Sequence, residues 1–172
     1  MTWTAPAYPR TDEPFTGTER ATLDGFLDWY RASFLRRCTG LTAAQLAERA
    51  APPSGLSLLG LARHLADVER TFFRQRYGRQ DIPSLDSRPG QPGACFEEAA
   101  QGHAARDLER LVAEQAEARR AVALLPLETV YANPRFGDMS LRWAYAHLIA
   151  EYAGHCGHAD LIRERIDGQT FS

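Results

Sequence analysis

The chain has 172 residues, 44% hydrophobic and 24% charged, with a formal net charge of −2. That length suits one domain with a sizeable core, and the near-neutral balance offers no basic field for nucleic acid or an anionic membrane surface. No run is long and apolar enough to predict a transmembrane helix.

The opening MTWTAPAYPRTDEPF lacks the positive-then-apolar order of a secretory signal. The three cysteines, Cys38, Cys95 and Cys156, do not make a disulfide framework, so the cytoplasm is the expected compartment. Residues 1–16, rich in Pro, Thr and Tyr without periodicity, predict an N-terminal arm, either laid over the domain or partly disordered; residues 17–172 predict a single domain. Leu23, Phe26, Leu27, Tyr30, Phe34 and Leu35 make the apolar face of a first helix from Thr18 to about Cys38. Thr42 and Gln45 have capping-box spacing for a short helical turn, and Pro52-Pro53-Ser54-Gly55 breaks the chain.

Ser57 is the expected N-cap of a second long helix that runs to about Tyr77, with Gly78 as its stop. Leu58, Leu61, Leu65, Val68 and Phe72 form its stripe, His64 lies on the flank of that stripe, and Glu69 is expected on the surface. Residues 79–93 are a long Pro/Gly-rich connection, too polar for a core, of a length often used for lids or binding loops. A third helix is expected from about Phe96 or His103 to Leu125, with Leu108, Leu111, Val112, Ala118, Val122 and Leu125 inward. His103 is expected exposed. The segment YANPRFGD reads as a turn into the last helix, and no strand-like alternation is seen. Four long amphipathic helices with short extra turns predict an all-α four-helix bundle, and the 79–93 connection allows a crossover.

The last helix, Ser140 to Gly168, carries the chemistry. At about 100° per residue, Ala144, Leu148, Glu151, His155, Ile162 and Ile166 share one narrow face. A carboxylate and an imidazole within an apolar stripe are costly unless paired or metal-bound. Glu151 and His155, spaced i,i+4, can reach one ion. His64, the one histidine of the second long helix, supplies a third ligand of the right type. Two His and one Glu leave coordination positions open, as catalytic sites do, and suit zinc, nickel or ferrous iron. His147 and His158 lie roughly 60–80° to one side of the stripe. His158 is expected to orient a ligand or act as an extra one, and His147 likewise, more weakly. Taken alone, each histidine also fits a hydrogen-bonded core residue. Cys156 reads as a small core residue, and Cys38 and Cys95 as helix-end and loop residues.

The pairing of SLLGLARHLADVERTFF (57–73) with SLRWAYAHLIAEYAGHCGHADLIRERIDG (140–168) resembles the DinB/YfiT-like metalloenzyme superfamily, especially its actinobacterial mini-circle protein branch. The resemblance spans about residues 12–168. It implies a four-helix bundle that holds a divalent metal with one His from the second helix and a His-x-x-x-His pair on the last. Carried over, these positions are His64, Glu151 and His155, with Glu151 standing where most members have His. The same change is found in the related mycothiol-dependent maleylpyruvate isomerase branch. The resemblance further implies a zinc or nickel ion (iron as the third choice) and a low-molecular-weight thiol co-substrate. The arginine-only basic set, as expected of a GC-rich actinobacterial genome, favours mycothiol. The expected activity is transfer of that thiol to a small electrophile. The rival expectations are a non-catalytic or stress-associated metal- or small-ligand-binding module and a metal-dependent hydrolase. Family analogy also implies a homodimer.

Overall fold

In the computed structural model, residues 2–171 are described except Pro89 and Pro92; Met1 of the arm, those two residues of the 79–93 connection and Ser172 lie outside the description. The chain is mostly helical. Four long helices hold most of the helical residues: α1 (Glu19–Cys38), α3 (Leu58–Glu69), α5 (Ala104–Val122) and α6 (Leu141–Asp167), joined by the short helices α2 (Ala43–Ala47) and α4 (Ala94–Glu97). Four of these starts are set by a capping side chain, while α4 and α5 begin without one. Thr18, Ser57 and Ser140 accept from the backbone N–H three residues on, and Thr42 and Gln45 close a reciprocal capping box. At the far end of α6, Gly168 takes the left-handed conformation (φ +76°) that a side chain would resist.

Two features depart from the sequence reading. The second long helix does not run as one α-helix to Tyr77. Beyond Glu69 it widens into a π-helical segment, Arg70–Tyr77, and the Gly78 N–H donates to Phe73 O five residues back at 2.8 Å. Strands are also present: β1 (Val130–Asn133) and β2 (Gly137–Ser140) form an antiparallel hairpin where only a turn was expected. Its turn is held by the Asn133 side chain, which accepts from the N–H groups of Arg135 and Phe136, and by Gly137 at φ +81°. The strands are four residues each, and neither VYAN nor GDMS alternates apolar with polar residues, so the sequence carries no period of two there.

α1 packs along α6, and α3 with its π-helical continuation packs on α5 and α6. Leu27, Phe34, Leu58, Leu61, Leu65, Leu108, Leu111, Leu148 and Tyr152 are fully or almost fully buried between them. At the centre lies a polar chain. The Arg31 guanidinium of α1 donates to both Glu69 oxygens (2.7 and 2.6 Å), and Tyr152 of α6 donates to Glu69 at 2.9 Å. Gln115 of α5 donates to the Tyr152 hydroxyl at 3.0 Å. All four long helices meet in that chain. Glu69 is therefore fully buried and not a surface residue: Arg31 supplies the opposite charge that makes its burial tolerable. In α5 the inner face passes through Leu111 and Gln115, which turns Val112 out to 41% exposure. The helix ends at Val122, leaving Leu125 in a turn.

The arm lies over the domain: Ala5 is buried and exchanges backbone hydrogen bonds with Gly40 and Leu41. The 79–93 connection is pinned by charge. Asp67 of α3 accepts from the backbone N–H groups of Leu85, Asp86 and Ser87, and Asp86 pairs with Arg63 and Arg110 at 2.6 Å. Burial pushes the Asp67 carboxyl up, but the Ser87 hydroxyl and these N–H donors outweigh it and hold it below its ordinary value. Cys95 is buried in α4, not in a loop, and Cys38 and Cys156 are buried and free.

Candidate metal centre

The fully buried Leu61 and Leu65 fix α3, and Leu148, Tyr152 and Ala159 fix α6. Beside these anchors, half-buried side chains of the two helices face one another. Here His64, Glu151 and His155 come together, their ligand atoms all within 4.8 Å of one another. Glu151 Oε2 is 3.7 Å from His64 Nε2 and 3.3 Å from His155 Nε2. Donors at about 2.1 Å from one tetrahedral ion stand roughly 3.4 Å apart, so this set has the spacing that a single ion needs. The side chains are not enclosed as the apolar stripe suggested. They are half-buried, with exposures of 28% for His64, 31% for Glu151 and 16% for His155, so the set is reachable from solvent and not an interior site.

Electrostatics favour the ligand form. Burial pushes the His64 imidazole below its ordinary pKa, against the pull of Glu151. Burial, then the neighbouring His64, lowers His155 to about 4. The distances to Glu151 are those of ion pairs, yet both rings are neutral at pH 7 and present lone pairs. Neutral imidazole is what a metal requires.

The two remaining histidines flank the set. His158 is exposed, and its Nδ1 is 3.3 Å from His155 Nδ1, on the side of that ring away from Glu151. A partner on the far nitrogen fixes a ligand's tautomer and tilt. His147 Nε2 stands 3.6 Å from Glu151 Oε1, the oxygen not shared with His64 and His155. Its ring is stacked on Trp143 (4.8 Å, 8°) and lies 4.8 Å from Phe72. His103 is exposed, as expected.

Several groups at the site escaped the sequence reading. Phe96 stacks on His64 with ring centroids 5.2 Å apart, placed there by the pinned connection and by Gly60, where a Cβ would come within 3.1 Å of the Phe96 ring. A groove of about 840 Å³ lies between the π-helical segment, the hairpin and the start of α6, and His147, which stands 3.6 Å from Glu151, lines it. Phe72, Arg76, Phe136 and Trp143 line it. The i,i+4 spacings of Phe72 with Arg76 and of Trp143 with His147 were visible in the sequence; their union with a hairpin was not.

A helical protein with two neutral imidazoles and a carboxylate converging on one another in half-buried positions belongs to the class of candidate metalloproteins with an accessible site. A family model described as Mycothiol-S-transferase matches residues 22–168. The chain belongs to that family, within the DinB/YfiT-like superfamily that its motifs resemble. The comparisons with curated proteins and with solved structures gave no match. Among the described residues, no helix is long and apolar enough to cross a membrane.

Proposed function

We propose that the protein is a divalent-metal-dependent thiol S-transferase that joins a low-molecular-weight thiol, mycothiol, to a small electrophile, and that its four long helices form the four-helix bundle of the superfamily. The observation that carries this reading is the convergence of the half-buried His64, Glu151 and His155 within 4.8 Å, in a chain of this family. These three residues are the ligands, and zinc or nickel, then iron, suits them. When bound, the ion supplies Lewis acidity that brings a thiol with a pKa of about 8.5 toward ionisation at neutral pH.

The chain's own residues do the rest. His147 engages Oε1 of Glu151 and leaves Oε2 facing the two imidazoles. His158 holds the far nitrogen of His155. Phe96 and Phe72 cover His64 and His147 with rings, which thins the water around the donors and strengthens every charge interaction there. Half-burial leaves the thiol and the electrophile a way in.

The test is elemental analysis and turnover on the same preparations: wild type, His64→Ala and His155→Ala. About one metal per chain, lost in both variants, with turnover of a chromogenic electrophile only when thiol is added, is the expected result. Turnover without thiol would make the protein a hydrolase that uses activated water. Absence of metal after incubation with zinc and nickel would overturn the metal reading and leave a binding module.

A further inference from the structure

Arg76 is set apart from the other arginines of its helix. Arg70 and Arg74 are both committed to Glu114, at 2.5 and 2.8 Å. Arg76 makes no ion pair or hydrogen bond among the described residues, although it lines the groove. Its guanidinium carbon lies 4.1 Å from the centre of the Phe72 ring and 5.5 Å from that of Tyr131. Aromatic faces hold the cation while its in-plane N–H donors stay unused. Around it the groove is mostly apolar: Phe136 and Trp143 are 68% and 42% exposed, and Val130 stands beside them. Asp138 also lines the groove, on the hairpin, without pairing to Arg76. A carboxylate is the partner that the edge of a guanidinium takes best, by two parallel hydrogen bonds, and flat rings are what exposed aromatic faces take best.

We infer that this groove binds the electrophile, and that the electrophile is a small, planar, conjugated molecule bearing a carboxylate, its ring against Trp143 and Phe136 and its carboxylate on Arg76. The inference rests on the S-transferase reading only for the ligand's being the electrophile; the ligand's chemistry rests on the groove. In transfer to an activated C=C of such a molecule, the thiol S–H bond breaks and a C–S bond forms at the β-carbon. The π pair moves to the α-carbon, which takes the proton, so no external oxidant or reductant enters. His147, shared between the groove and Glu151, marks the end at which the reacting carbon would lie.

The experiment is calorimetric titration of the full chain with 2-naphthoate and with its uncharged analogue 2-naphthamide, before and after chelator treatment. The carboxylate should bind on the order of tenfold tighter or more, with or without chelator. Arg76→Gln should bring the two probes to parity, Arg76→Lys should keep part of the preference, and Trp143→Ala should weaken both by the same factor. Parity in the wild type, an unchanged preference in Arg76→Gln, or no binding of either probe would overturn the inference. A preference that vanishes with the chelator would also overturn it, since the carboxylate would then sit on the ion. Carboxylate preference without thiol-dependent turnover would keep the groove's ligand and remove the transferase reading. Turnover with parity would do the reverse.

Discussion

Replacing Glu69 by alanine would leave the buried Arg31 guanidinium with only the half-buried Asp28 as counter-charge. The expected loss is about 3–5 kcal/mol of unfolding free energy in urea titration, and Tyr152→Phe, which removes the hydroxyl between Glu69 and Gln115, should cost about 1–3 kcal/mol. Helical spacing ranks a lone Glu as solvent-facing, and Arg31 is 38 positions earlier, so the pairing that buries Glu69 was invisible in the chain. His64, Glu151 and His155 were legible for the opposite reason: an i,i+4 pair is a local signal, and the motif supplied the third member. Their titration gives a second expectation. His155 binds its proton at about pH 4 when folded and near 6.5 when unfolded, so between those values the unfolded chain holds more protons. Stability of the metal-free protein should therefore fall as pH drops from about 6.5 toward 4, and His155→Gln should flatten the upper part of that decline in thermal melts.

The caps of the elements were readable from single residues. Ser57, Ser140, Thr42 with Gln45, and Gly168 each stand where the chain starts or stops a helix, because capping is a contact between near neighbours. The π-helical segment and the hairpin were not readable. Residues 70–77 have ordinary helical composition, and the widening shows only in which carbonyl each N–H finds. The end of that segment is tight: a Cβ on Gly78 would stand 2.8 Å from Arg74 O and 3.0 Å from the Ala121 Cβ on α5. Gly78→Ala should therefore lower stability by about 1–3 kcal/mol, by a clash with backbone that cannot move aside. The same substitution at Gly102, where a Cβ would meet nothing within 4 Å, serves as the control and should leave the urea midpoint nearly unchanged.

At the scale of the molecule, helices α3 and α6 bring the three donors together only when folded, so an ion bound there stabilises the native state. Free ion at about 100 times its dissociation constant should add about 2.7 kcal/mol, a rise of roughly 5–10 °C in melting temperature for a chain of this size. Chelation should reverse it, and His64→Ala should be insensitive to both. The four long helices and their order were legible in the hydrophobic periodicity. The groove was not, because it is made where three separate stretches of the chain meet: a widened turn, a hairpin and the start of α6. That widened turn separates two tasks along one continuous rod: His64 lies before it, Phe72 and Arg76 within it. Dropping a single residue there would restore the narrower helical period and shift the faces of the side chains within the segment, while His64 before it stayed in place. One indel could thus exchange the side chains that meet a ligand without disturbing the donors, a cheap route by which chains of this architecture can diverge in what they accept.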